Sequence, residues 1–200
     1  MAATRRRGAA LEAAILDAGW AQLIEEGYPG FTFEAIAERA HTGKAVLYRR
    51  WPDKEALLLG VLTHQGFATP VEIPDTGSLR EDVLTLLRLA NRRGERAAAL
   101  FSTILSAYFN KELTLTPAEL RTQLFGDNSQ ALIQVVQQAV NRGELPPEGL
   151  PPRIAMLPAS LLRHELIMNL SRVPDETIVD IVDTVFLPLA TDRQRSSEQR

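Results

Sequence analysis

The chain contains no cysteine, which excludes a disulfide-stapled fold, thiolate metal sites and cysteine nucleophiles. Histidine is almost as scarce. The three present, His41, His64 and His164, show no metal-ligand spacing. No apolar run nears the roughly 18 residues of a membrane span, and no apolar signal-type segment follows the basic N-terminus. Aromatic residues make up only 6%, and neither a glycine-rich phosphate loop nor a Ser/His/Asp arrangement is legible. The sequence therefore offers no catalytic residues, implies no cofactor or metal, and reads as a soluble, cytoplasmic non-enzyme. What is present suffices for folding: 200 residues, 45% hydrophobic and 24% charged, can bury a core in one or two domains.

Charge is short of one sign only locally. The net charge is −3, and it resides beyond residue 64, because acids and bases balance before it. Within residues 39–54, however, Arg39, Lys44, Arg49, Arg50 and Lys54 face a single acid, Asp53. Arg5, Arg6 and Arg7 add a second basic island at the terminus. Two basic islands in an acidic protein predict a confined contact with something anionic.

Hydrophobic spacing of three and four, with no strand-like alternation, predicts an all-α protein. A first helix is expected from about Arg7 to Glu26, ending at Gly27. Thr32 then caps a short helix to Ala40, and His41-Thr42-Gly43 interrupts it. A second short helix covers Lys44 to about Arg50, and Asp53 caps a third from Lys54 to about Gln65. Ala68–Gly77 reads as a linker. Beyond it, Ser78-Leu-Arg-Glu81 forms a capping-box pattern opening a helix to about Asn91, followed by a helix from Arg96 to Asn110. Thr116-Pro-Ala-Glu119 opens another to Asn141, with a kink expected at Gly126-Asp127-Asn128. Prolines 146, 147, 151 and 152 stiffen a crossover before two last helices, about 153–170 and 174–190. Pro158 either bends the first of these or marks its true first turn. The tail from Thr191 reads as polar and frayed.

Two short helices across a three-residue break form a helix-turn-helix. Spacing places Lys44, Tyr48, Arg49 and Arg50 outward on the second helix. Ala45 and Val46 are small enough to let backbone approach bases, and Leu47 is set to bury against Ile36 and Ala37. Trp51 either wedges under the helix or lies on a sugar-phosphate backbone. Charge alone leaves two further readings open: a solvated basic helix in a bundle, or an adaptor presenting a basic helix to an acidic protein or membrane surface.

The run Thr32-Phe-Glu-Ala-Ile-Ala-Glu-Arg-Ala-His-Thr-Gly-Lys-Ala-Val-Leu-Tyr-Arg-Arg-Trp51, followed by Pro52-Asp-Lys-Glu-Ala-Leu57, resembles the signature of the tetracycline-repressor (TetR) family. The resemblance spans residues 9–69, with the helix-turn-helix at 32–51. It implies a three-helix DNA-binding domain there and a helical ligand-binding and dimerisation domain over 70–200. Position by position, it implies that Thr32 caps its helix and bonds a phosphate, and that Lys44 and Arg49 reach base edges or phosphates. It further implies a phosphate for the Tyr48 hydroxyl and a phosphate clamp at Lys54. Where the family usually carries Gly-Val in the turn, this chain has His41-Thr42. His tolerates a positive φ better than most residues, though less well than glycine.

The same resemblance implies a homodimeric regulator, a repressor released from a pseudo-palindromic operator by a small hydrophobic effector. Candidate cavity-lining residues are Phe101, Leu105, Tyr108, Phe109, Leu124, Phe125, Met156 and Met168. Arg163-His164-Glu165 is the candidate for buried polarity, as an internal salt bridge or dimer contact or as a ligand contact, with His164 the ligand-binding residue. For the dimer, Ile178, Ile181, Val182, Val185, Phe186 and Leu189 make an apolar stripe on the last helix. Ala155, Ala159, Leu162, Leu166 and Leu170 supply a facing stripe on the helix before it. Two such helices from each of two chains would form a four-helix bundle about a two-fold axis.

Overall fold

The computed structural model describes residues 8–67, 72–125 and 128–191. The Arg5–Arg7 triplet, part of the linker and the tail beyond Thr191 lie outside the described residues. Among the described residues all regular structure is helical. They form two compact units, one drawn from the ranges 1–69 and 100–124, the other from 70–99 and 125–200.

In the first unit, α1 (Ala9–Gly30) is broken at Gly27, whose φ of 67° and ψ of −171° leave the helix before one further turn. Only glycine takes that φ without a steric cost. α2 (Phe33–Arg39), α3 (Lys44–Tyr48) and α4 (Lys54–His64) follow. Both expected side-chain caps are made: Ala35 N–H donates to the Thr32 hydroxyl at 3.2 Å, and Ala56 N–H donates to Asp53 at 2.7 Å. α2 and α3 are too short to persist alone. They are held by a core in which Ile15, Phe31, Ile36, Leu47, Leu57 and Val61 are fully buried.

α5 (Leu79–Phe109) is one helix of 31 residues where the sequence predicts two. Residues up to Ala99 belong to the second unit, and those from Leu100 to the first. Gly94 does not break the helix. An added Cβ there would lie 2.3 Å from Leu166 Cδ1, so the glycine lets the later helix that carries Leu166 close in. The start of α5 also differs from the expected capping box. Glu144, from the turn that follows the helix ending at Asn141, accepts the Leu79 N–H at 2.7 Å.

α6 (Pro117–Phe125) opens with the expected box, in which Thr116 N–H donates to Glu119 at 2.8 Å and Glu119 N–H donates to the Thr116 hydroxyl at 3.2 Å. The second unit continues with α7 (Asn128–Asn141), α8 (Pro152–Ala155), α9 (Leu157–Asn169) and α10 (Asp175–Asp180). α10 runs on through a π-helical stretch, Ile181–Phe186, and a final turn to Thr191. Pro158 sits in the first turn of α9, the second of its two expected roles.

The second unit's core joins Val83 and Leu87 of α5, Leu132 and Val135 of α7, Leu162 of α9, and Phe186. Polar groups are buried within it. Asn91, 5% exposed, donates to the Val173 carbonyl at 2.8 Å and accepts the Val173 N–H at 3.0 Å. Asp82, fully buried, accepts from Thr76 N–H at 2.6 Å, the Thr76 hydroxyl at 2.7 Å and Arg142 at 2.9 Å.

Candidate nucleic-acid interface

The connection between α2 and α3 sets the angle of the second helix, and it hinges on His41. With φ at 52°, His41 lies in the left-handed region. Its N–H donates to the Glu38 carbonyl at 3.0 Å, and Thr42 N–H donates to the Ala37 carbonyl at 2.9 Å. That pair of bonds is a Schellman motif, with histidine in the place glycine usually takes. The turn therefore forms despite the departure from Gly-Val, and Thr42 is half-buried with its N–H satisfied.

Leu47 is completely buried and anchors α3 as expected. Around that anchor, Lys44, Ala45, Tyr48 and Arg49 are exposed, and Val46 is half-buried. The Tyr48 ring stacks on Phe33 at 4.2 Å between centroids and 3° between planes. The ring is thus fixed while the residue stays 52% exposed. Lys44 donates to Glu34 at 2.7 Å. This bond raises the lysine pKa and lowers that of the glutamate. Among the described residues Arg49 makes no ion pair, so it is the unengaged cation of the face.

Three expected contact residues are not brought to this face. Arg50 turns back to pair with Glu12 of α1 and is part-buried. Trp51 takes the wedge role. A Cβ added at Gly60 of α4 would lie 2.8 Å from its indole nitrogen, so the missing side chain makes room for the ring. Lys54 differs most from the outward clamp. Its ammonium donates to the Tyr28 carbonyl at 2.7 Å and sits 3.8 Å from the Tyr28 ring centroid. Burial lowers its pKa. Desolvation likewise pushes the Tyr28 phenol up. The physical reason is local: residues 27–31 bring an aromatic face and a carbonyl to the first turn of α4, and a flexible lysine stem reaches both.

Next to Lys54, Glu55 accepts from the Thr114 N–H and, at 2.6 Å, from the Thr114 hydroxyl. With Leu113 buried, the α5–α6 loop is thereby held to the start of α4. No sequence signal links these residues, which lie 59 positions apart.

The expected effector residues are divided between the two units. Phe101, Leu105, Tyr108, Phe109 and Leu124 belong to the first unit, and Phe109 is 72% exposed. Phe125, Met156, His164 and Met168 belong to the second. His164 and Met168 are exposed and Arg163 and Glu165 half-buried, whereas the buried polar groups of this unit are Asn91 and Asp82. Asn91 continues the Val83, Leu87 spacing and Asp82 precedes Leu86 by four, a periodicity that could have located both.

The expected dimer stripe also changes role. Ala155, Ala159, Leu162, Leu166, Ile178, Ile181, Val182 and Phe186 are all buried within the single chain. They close the second unit's own core, because α9 and the π-helical stretch pack on each other and on α5 and α7. Of the stripe, Leu189 and Leu170 stay exposed and Val185 half-buried. Among the described residues no acidic or histidine cluster could hold a metal, and no helix is long and apolar enough to cross a membrane.

Residues 15–61, which contain this helix pair, match the family described as bacterial regulatory proteins, tetR family. Residues 73–185 match the tetracyclin repressor-like C-terminal domain. The chain is 34% identical over 172 residues to an uncharacterized HTH-type transcriptional regulator of Mycobacterium bovis, covering 84% of this chain and 82% of that one. It is 29% identical to the DNA-binding transcriptional repressor TetR of Mycobacteroides abscessus, over 92% and 95% of the two chains. The fold matches the crystal structure of a TetR family transcription regulator with a TM-score of 0.57 at 24% identity, over 88% and 96% of the chains. The chain belongs to the TetR family of bacterial regulatory proteins.

Proposed function

We propose that this protein is a sequence-specific DNA-binding transcriptional regulator, a repressor that acts as a homodimer and releases its operator when a small molecule binds. The reading rests on the exposed face of α3. There, Lys44, Ala45, Tyr48 and Arg49 are exposed, and Leu47 fixes the helix from beneath. Lys44 and Arg49 supply charge for phosphates and donors for base edges, Ala45 admits the backbone, and the stacked Tyr48 presents a hydroxyl. Thr32 and the N-terminus of α2 add phosphate donors. Arg50, Trp51 and Lys54 act behind the face, holding α3 and α4 in place. The functional division we propose keeps DNA reading in 9–69 and effector binding with dimerisation in 70–200.

The dimer surface we propose comprises the apolar side chains that the last helices leave outside: Met168 and Leu189, with half-buried Leu161 and Val185. A two-fold axis there would set two α3 helices on major grooves about 34–36 Å apart and require a pseudo-palindromic site. The test is selection of duplex fragments from the protein's own genome by the purified protein, repeated with Arg49→Ala. Enrichment of a palindromic sequence by the wild type, and loss of that preference in the variant, is the expected result. Uniform retention of all fragments, or equal retention on acidic lipid vesicles, would replace DNA reading with general polyanion binding.

A further inference from the structure

Between α7 and the proline-rich crossover, the second unit holds a cleft of about 430 Å³. Its walls are apolar, from Val136 and Val140 of α7, Leu150 of the crossover, Ala155 of α8 and Met156. That volume lies within the ~300–1,000 Å³ of small-molecule sites. Of the aromatic and methionine residues expected to line a cavity, Met156 alone is here.

The rim is built in advance of any ligand. Pro146, Pro147, Pro151 and Pro152 restrict the crossover. Gly149 closes a turn by donating to the Pro146 carbonyl at 2.8 Å. Its φ of 66° suits glycine, and a Cβ there would already lie 3.8 Å from Val136 and Val140. At the other side, Glu144 is held by Arg142 at 2.6 Å and by Leu79 N–H at 2.7 Å, which fixes the end of α7. A rim already ordered costs a ligand little to use.

Two polar side chains interrupt the apolar lining, Gln137 and Glu148. The Gln137 amide nitrogen donates to Asn141 at 3.1 Å, which leaves its oxygen as an acceptor. Glu148 is exposed and makes no ion pair among the described residues. Both groups therefore offer acceptors, and one of them a full negative charge, beside an apolar cleft. We propose that this cleft binds lipophilic cations, the apolar body lying against Val136, Val140 and Leu150 and the ammonium group at Glu148. An anionic amphiphile of the same size would bury the same surface but meet Glu148 unfavourably.

The binding claim stands on the cleft alone. That such a ligand controls DNA affinity rests on the function proposed above. The experiment separates the two. Full-length protein is titrated calorimetrically with decylammonium and with decanoate, which share a chain length and differ in charge. Saturable binding of the cation, roughly tenfold tighter than the anion as one charge-assisted contact provides, is the expected result. Glu148→Gln should remove that preference, and Ile133→Trp, at a half-exposed position on the cleft edge, should weaken both probes. Equal affinity for the two probes, a preference that survives Glu148→Gln, or no saturable binding would overturn the proposal. DNA affinity is then measured with and without the cation. Glu148-dependent binding that leaves DNA affinity unchanged supports the site and counts against its role as an effector switch.

Discussion

Replacing Lys54 with methionine separates two roles for a residue at the start of α4. Methionine keeps most of the apolar stem and its packing while removing the charge. Two interactions are lost. A partly desolvated cation–π contact is worth about 0.5–2 kcal/mol, and a hydrogen bond from a charged donor about 1.5–3 kcal/mol. Two facts reduce the sum. The Tyr28 carbonyl still accepts the Phe31 N–H at 3.2 Å, so no buried acceptor is left without a partner. The ammonium is also relieved of the desolvation that lowers its pKa. A net loss of about 1–2 kcal/mol follows. With a urea dependence of about 1–3 kcal/mol per molar, the midpoint should fall by roughly 0.5–1 M. Trp20 and Trp51 both lie in this unit, so intrinsic fluorescence reports its unfolding directly. Operator affinity should fall only modestly, with the same slope of log affinity on log salt. An unchanged urea midpoint together with a slope smaller by about one would mean that Lys54 faces a phosphate, refuting the inward role.

Tyr48→Phe should weaken operator binding by about 0.5–1.5 kcal/mol in a fluorescence-anisotropy titration, because the ring keeps its stack on Phe33 while the hydroxyl is lost. Asn91→Ala should cost about 2–4 kcal/mol in urea unfolding followed by circular dichroism, since the buried N–H and carbonyl of Val173 both lose their partner. Leu170 holds a φ of 48° while 48% exposed. Leu170→Gly should therefore stabilise by about 0.5–1 kcal/mol, the left-handed cost of a branched side chain less the added entropy of glycine. Arg88 and Arg80 each bind a carboxylate through two 2.7 Å bonds, holding Asp175 and Asp183 below the usual carboxylate range. In the window between folded and unfolded pKa values the unfolded chain binds more protons. The stabilisation is thus complete above the unfolded value of about 3.9 and is lost as pH falls through the folded ones. Melting temperatures measured across that range should drop more steeply for the wild type than for an Asp175→Asn, Asp183→Asn double variant.

The helix-turn-helix was legible because its signals are local. Thr32, Asp53 and Thr116 cap helices that begin one residue later, and each cap needs only atoms within three positions. The spacing of Phe33, Ile36 and Leu47 gave the buried side of a helix pair too short to turn any other way. Even the unusual His41 could be placed in the turn, since its left-handed φ is a property of one residue and its two neighbours.

Beyond α4 the local signals stop deciding. A three-and-four stripe such as Ile178, Val182 and Phe186 states that one face of a helix is apolar, but not what covers it. In this chain its own α5, α7 and α9 do so, leaving Val185 and Leu189 for any partner. Gly94 falls between the two helices the sequence predicts, one to about Asn91 and one from Arg96, because propensity counts only the helix's own entropy. It is instead interior to α5, where Leu166 fills the space a Cβ would take. Glu144 caps a helix 65 residues before it, and Lys54 turns inward to a carbonyl 26 residues away. Composition and periodicity thus determined the class of fold and where the reading helix lies. Which charges face outward, and which stripe is core, depended on neighbours that become neighbours only once the chain has packed.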